Sequence, residues 1–121
     1  MDLNQFTTKS QEAISNAQQL TLTNGNQAIE NTHILSAIID VDQNVFPHIA
    51  KKLGANPDII AKANGSILQS LPKVSGVNIH LSNNSQKSIA ESISISKKMN
   101  VDFVSIEHLI LGILKGSDNT S

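Results

Sequence analysis

Glu107-His108-Leu109-Ile110-Leu111-Gly112-Ile113-Leu114 has an earlier counterpart in Thr32-His33-Ile34-Leu35-Ser36-Ala37-Ile38-Ile39, in register at 108 − 33 = 75 residues. Carried upstream without a gap, the same offset sets Ser85-Gln86 on Ser10-Gln11, Ile89 on Ile14, Ile95 on Leu20, Val104 on Ile29 and Leu81 on Phe6. A fixed-period match of this kind marks a duplicated structural unit.

Within each copy the apolar residues recur at helical spacing. Ile34, Leu35, Ile38 and Ile39 form a stripe wide enough to be buried on more than one side, so the helix expected from Glu30 to Asp40 is the central one. Upstream, Thr7 or Thr8 caps a helix running to about Thr23, with Ala13, Ile14, Ala17 and Leu20 on one face and Gly25 suited to the left-handed turn after its end. A short helix is expected from Val45 to Leu53, stopped by Gly54. Asn56-Pro57-Asp58 then restarts the chain: a cap, a proline whose missing N–H costs nothing at the first helical position, and an acid at the positive end of the dipole. In the second copy Ser82 or Asn83 caps a helix carrying Ile89, Ser92, Ile93, Ser96 and Met99 with Ile95 beside them, and Ser105 caps the helix that holds Glu107 to Leu114.

The fold class this predicts is all-α: a pseudo-twofold duplicated four-helix repeat, with repeat one at about 6–71, a proline- and glycine-bearing connector at 72–80 and a partial repeat two at 81–121, together one domain over 1–121. Matches to the third and fourth helices would fall beyond Ser121, so the expectation is a second unit cut short rather than one naturally shorter. Ala37 and Gly112 share a repeat position. Small residues there are expected to let the two apolar helices approach each other about the pseudo-twofold axis.

Composition narrows the function. The chain has 121 residues, enough for one shared core. Aromatics are 2% of it, so the core is built from aliphatics. Nine basic and ten acidic residues are scattered, which gives no footprint for nucleic acid or an anionic membrane. Cysteine is absent, as suits a reducing compartment, and no signal peptide or spanning run is visible, so a soluble, cytoplasmic chain is expected. There is no phosphate loop, nucleophile elbow or His-Glu-x-x-His, and no active site is expected. His33 and His108 are symmetry-related, but two ligands do not make a zinc site. Each is expected to bond backbone at a helix start, with no metal and no cofactor.

Asp102 and Glu107 stand at the loop and helix start of the second copy, either as dipole and capping groups or as polar anchors at the rim of a groove with Thr7 on the same side. Ser85, Ser88, Ser92, Ser94 and Ser96 among isoleucines read either as a shallow, mildly apolar surface able to hold extended peptide or as a weakly amphipathic surface helix.

The paired His-bearing stretches, the opening Phe6-Thr7-Thr8-Lys9-Ser10-Gln11-Glu12-Ala13-Ile14 and the connector Leu71-Pro72-Lys73-Val74-Ser75-Gly76 resemble the Clp N-terminal repeat domain over nearly the whole chain. Lys9 to Ala13 and Leu71 to Gly76 are most similar to the ClpB-type disaggregases within that family. The resemblance implies a non-catalytic domain, monomeric in isolation, hung by a flexible linker from a hexameric AAA+ threading machine. Its role there is to engage exposed apolar segments of unfolded or aggregated polypeptides and hand them to the pore. It also implies an Hsp70-type chaperone system as a partner through the parent protein, and no ATP binding by this chain. A threonine near the N-terminus, a loop acid and a helix-opening glutamate are associated with the substrate surface in such disaggregases. Thr7 and Glu107 match in place, while the acid here is Asp102, one residue beyond the family position at Val101. The expected site is a groove of Ile89, Ile93, Ile95 and Phe103 edged by Thr7, Asp102 and Glu107. The other function considered is a docking platform for a folded adaptor, as in protease-partner unfoldases.

Overall fold

The computed structural model describes residues 3–74 and 78–116. Its helices begin where side chains can satisfy the free amides of a first turn. Thr7, in extended conformation, accepts from the Ser10 amide at 3.2 Å and opens α1, Thr8–Thr23. Seventy-five residues on, Ser82 accepts from the Ser85 amide at 3.1 Å and opens α5, Asn83–Lys98. Between them lie α2 (Asn31–Val41), α3 (Val45–Lys52) and α4 (Pro57–Ser70), and α6 (Ile106–Gly116) follows. The pairs α1/α5 and α2/α6 match residue for residue at the offset of 75. So do the turns that leave α1 and α5, where Gly25 has φ +70° and Asn100 φ +56°. Asparagine is among the few side-chain-bearing residues that tolerate the left-handed region.

α4 starts as the sequence predicts, with Asn56 accepting from Asp58 and Ile59 amides ahead of Pro57. The start of α3 differs from a simple cap: Asp42, three residues upstream, accepts from the Asn44 and Val45 amides at 3.0 Å each and meets Lys9 Nζ at 3.5 Å. These amide bonds, the one from Val45 foremost, hold its carboxyl below the usual carboxylate range.

The two copies are tied by a reciprocal pairing. Strand β1 (Ala28–Ile29) runs parallel to β2 (His80–Leu81) with Ile29 opposite Leu81, and Phe6 forms a parallel bridge with Val104. Since 6 + 75 = 81 and 29 + 75 = 104, each copy lends the residue before its first helix to the loop of the other. The flanking bonds repeat: Thr7 N–H donates to Val104 O at 3.0 Å, and Ser82 N–H to Ile29 O at 3.1 Å. That is the signature of a pseudo-twofold axis. It closes a core in which Phe6, Ile34, Ile38 and Leu109 are buried from both sides. Residues 75–77 of the expected connector and 117–121 of the expected partial repeat lie outside the described residues.

Two expectations about packing are corrected. Gly112 does not close α6 onto α2. A Cβ at Gly112 would collide with Ser92 Oγ and the Ser88 carbonyl and lie 2.9 Å from the Ser92 amide nitrogen, so the close approach is to α5, within one copy. α2 likewise packs mainly on α1, and α2 and α6 touch only lightly. The serine-rich side of α5 is therefore not a shallow surface: Ser85, Ser88, Ser92 and Ser96 are buried, Ser88 and Ser92 against Gly112 of α6 and Ser85 with its hydroxyl donating to Ile29 O of repeat one at 2.6 Å. Their hydroxyls turn inward to carbonyls, Ser88 to Asn84 at 3.1 Å, Ser92 to Ser88 at 2.8 Å and Ser96 to Ile93 at 2.9 Å. A serine bonded in this way presents little polarity to its neighbours and packs as a small residue.

Candidate functional site

The bridge between Phe6 and Val104 gathers part of the expected site. Thr7 is bonded through its amide to Val104, which directly follows Phe103, and Asp102 lies one residue further back. Thr7 Oγ1 is engaged in its capping role, donating to Ser10 Oγ at 2.9 Å, while Asp102 and Glu107 are exposed and Glu107 sits in the first turn of α6. Phe103 is 51% exposed.

The isoleucines do not line a groove together. Ile89 is 6% exposed and belongs to the core, because it falls in the buried stripe with Ser85, Ser92 and Ser96. Ile93 is half-buried against that core, and Ile95 is half-buried elsewhere. Two residues apart on a helix, Ile93 and Ile95 point about 200° apart and flank the buried stripe on opposite sides. The open surface beside Thr7, Asp102 and Glu107 is made instead by the loop, where Met99 and Val101 join Phe103 as exposed apolar residues.

Residues 99–103 differ sharply from their counterparts at 24–28. In repeat one the chain leaving α4 lies across the loop. Val74 N–H donates to Gly25 O at 2.7 Å, Asn26 Nδ2 to Pro72 O at 3.0 Å, Asn24 Nδ2 to Leu68 O at 3.1 Å and Lys73 Nζ to Asn24 O at 2.7 Å. Asn26 is consequently 5% exposed, whereas its counterpart Val101 is 43% exposed. No described residue donates to the Asn100 carbonyl, the counterpart of Gly25. The sequence carried a signal for this surface: Met99, Val101 and Phe103 stand at the repeat positions of Asn24, Asn26 and Ala28.

The histidines hold the helix starts. His33 Nδ1 accepts from the Glu30 amide at 2.9 Å and His108 Nδ1 from the Ser105 amide at 2.8 Å, with Ser105 Oγ 3.0 Å from the same nitrogen. A ring that accepts at Nδ1 carries its proton on Nε2. His33 Nε2–H then donates to Asn26 Oδ1 at 2.8 Å, and burial, countered in part by Glu30, pushes its pKa below 6.5. His108 has no acceptor for Nε2–H among the described residues, because Val101 replaces the asparagine. No group of three or more metal-ligating side chains occurs among the described residues, and no helix among them is long and apolar enough to cross a membrane.

A cavity of about 540 Å³ lies between α2, α3, α4 and α6, walled by aliphatic residues that include Leu35 and its repeat counterpart Ile110. It includes none of the seven expected site residues. The carboxamide of Asn31 is buried on its wall without a hydrogen-bond partner among the described residues.

Comparison with known proteins places this geometry. The family described as the Clp repeat (R) N-terminal domain matches residues 5–121. The chain is 42% identical over 114 residues to chaperone protein ClpB of Bacteroides thetaiotaomicron, covering 94% of this chain and 13% of that protein, and 36% identical, with the same coverage, to chaperone protein ClpB of Porphyromonas gingivalis. It thus spans a small fraction of these relatives' length. Among solved structures, the Hsp104 N-terminal domain from Candida albicans superposes with a TM-score of 0.83 at 18% identity, over 93% of this chain and 75% of that one. The N-terminal domain of the chaperone ClpD from Arabidopsis thaliana does so with 0.75 at 19%, over 99% and 82%. At these identities the likeness is one of fold.

Proposed function

Because the chain belongs to the Clp repeat (R) N-terminal domain family, we propose that it is the substrate-recognition domain of an ATP-dependent disaggregase, binding exposed apolar segments of unfolded or aggregated polypeptides for delivery to the hexamer pore. The observation that carries this reading is the exposed apolar loop Met99, Val101, Phe103, set beside Thr7, Asp102 and Glu107 where the copy in repeat one is polar and covered. Apolar side chains held out on a loop that a rigid bridge positions are suited to catching apolar chain, with the acids at the rim keeping the patch hydrated. The domain has no reaction of its own to perform; threading and ATP hydrolysis belong to other modules of the parent hexamer, and the Hsp70-type system is a partner of that assembly. Weak single-site binding suffices, since several copies on one hexamer raise the effective concentration for a long unfolded chain.

The test is an anisotropy titration of a labelled, reduced and carboxymethylated protein that cannot refold, against the same protein in its native state. Saturable binding of the unfolded form with none of the native form is expected. Indifference to the unfolded form, together with a stable one-to-one complex with a single folded protein, contradicts the reading in favour of an adaptor platform.

A further inference from the structure

Asparagine followed by glycine is the dipeptide in which a main-chain nitrogen most readily attacks the preceding side chain, because glycine puts no Cβ in the way. The chain has two such pairs, Asn24-Gly25 and Asn64-Gly65. We propose that Asn24-Gly25 is a site of spontaneous deamidation, and that the reaction irreversibly releases the connector from the loop of repeat one.

The two asparagines differ in what must open before they can react. Asn64 lies inside α4 and is 7% exposed, its carboxamide held on α2: Nδ2 donates to Thr32 O at 3.0 Å and Oδ1 accepts from Thr32 Oγ1 at 2.6 Å. Freeing it means separating two packed helices. Asn24 is half-buried at the C-terminal cap of α1, with φ −81° and ψ −3°. Gly25 follows at φ +70°, its amide donating to Leu22 O at 3.0 Å. The Asn24 carboxamide is held from outside by the end of α4 and the segment after it. Its Nδ2 donates to Leu68 O at 3.1 Å and, within the loop, to Asn26 Oδ1 at 2.7 Å, while Oδ1 accepts from the exposed Lys73 ammonium at 3.2 Å. A helix end under an exposed clasp opens locally at far less cost than a core.

The chemistry then needs only water. With the turn open, the Gly25 nitrogen gives its proton to solvent and bonds to Asn24 Cγ. The Cγ–Nδ2 bond breaks and Nδ2 leaves as ammonia, closing a succinimide. Water adds to either ring carbonyl and breaks its bond to the Gly25 nitrogen, leaving aspartate when Cγ is attacked and isoaspartate when the main-chain carbon is. One water enters and one ammonia departs.

Either product unmakes the clasp. In aspartate an oxygen takes the place of Nδ2 and faces Leu68 O and Asn26 Oδ1, so two hydrogen bonds become contacts between acceptors. The ion pair gained with Lys73 is exposed and offsets little. Isoaspartate routes the main chain through the side-chain carbon, adding a methylene before Gly25 and displacing Gly25 O from the Val74 N–H that it accepts at 2.7 Å.

The test incubates the chain in heavy-oxygen water at mildly alkaline pH and maps its peptides by mass spectrometry, with fragmentation that separates isoaspartate from aspartate. Heavy oxygen is expected at position 24 in both products, accumulating at least about tenfold faster than at position 64. Gly25→Asn copies the left-handed Asn100 and is expected to keep the turn and slow the reaction severalfold. Asn24→Asp is expected to lower the hydrogen-exchange protection of the Val74 amide about tenfold. Equal rates at the two positions, aspartate without isoaspartate, or a folded Gly25→Asn that reacts as fast would overturn the site. If Gly25→Asn does not fold, the comparison of the two positions in the unaltered chain decides. Unchanged protection of Val74 in Asn24→Asp would overturn the release.

Discussion

Repeat one and repeat two share helix lengths, caps, a left-handed turn and a histidine at the same helix position, yet one loop is closed and the other open. Loop 24–28 is polar, with its carbonyls and asparagines taken up by the chain that leaves α4, whereas loop 99–103 is apolar and exposed. What recurs at 75 residues is packing and capping, and what departs from the recurrence points to function. The strongest departures are Asn24, Asn26 and Ala28 against Met99, Val101 and Phe103, and Thr32 against Glu107. Thr32 is held by Asn64 of α4, Oγ1 to Oδ1 at 2.6 Å, while Glu107 is exposed.

The comparison can be broken most forcefully at the reciprocal bridges. Phe6 is fully buried at its bridge and Leu81 half-buried at the equivalent one, so Phe6→Ala is expected to cost about 3–5 kcal/mol and Leu81→Ala about 1–2. Equal losses in urea denaturation would contradict an asymmetric pair. Next comes the helix seam. Gly112→Ala drives a methyl into α5, where the Ser88 carbonyl belongs to the backbone and cannot yield, and is expected to cost about 2–4 kcal/mol. Ala37→Gly, at the twin position, loses only helix propensity and one methyl, about 1–2 kcal/mol. Adding Ser92→Ala to Gly112→Ala is expected to recover part of the loss, since the hydroxyl is relieved and the carbonyl is not.

A smaller effect is set by pH. The pKa of His33 in the folded chain lies below the ordinary 6.5, so the fold favours the neutral ring. Stability is then whole above pH 6.5 and is lost as pH falls from there through the folded value, with a further loss below pH 3.8 as Asp42 takes up its proton. His33→Gln keeps a side-chain acceptor for the helix start, as glutamine does in a capping box, but does not titrate. It is expected to lower stability by about 1 kcal/mol at neutral pH and to flatten the first decline. A thermal-melt series between pH 7 and 5 that falls equally in both proteins would assign the decline elsewhere. Smallest is Lys9→Ala: the ammonium is largely exposed, and removing it is expected to cost under about 0.5 kcal/mol, whereas Asp42→Ala also uncaps α3 and costs about 1.

The duplication and the helices were legible because their signals are local: a cap such as Thr7, Ser82 or Asn56, a proline at a first turn, and apolar spacing. The parallel bridges were not, since they join Phe6 to Val104 and Ile29 to Leu81 through pairings too short to carry an alternating pattern. The buried serines misled for a chemical reason. A hydroxyl turned onto a carbonyl of its own helix hides the polarity by which a sequence is read. The divergence of Ile93 and Ile95 was readable from helical geometry alone. Placing the apolar loop in the open needed the connector, because a loop of either composition is exposed unless something covers it.

The central claim is that the open loop of repeat two, and not its covered twin, meets substrate. The direct measurement is a chemical-shift titration of the isotope-labelled domain with a permanently unfolded protein, reading the backbone amides of residues 99–103 and 24–28 together. The account predicts perturbations that grow with concentration at 99–103, extending to Thr7 and Glu107, with 24–28 unmoved. Shifts of equal size in both loops, or shifts confined to 24–28, would contradict it.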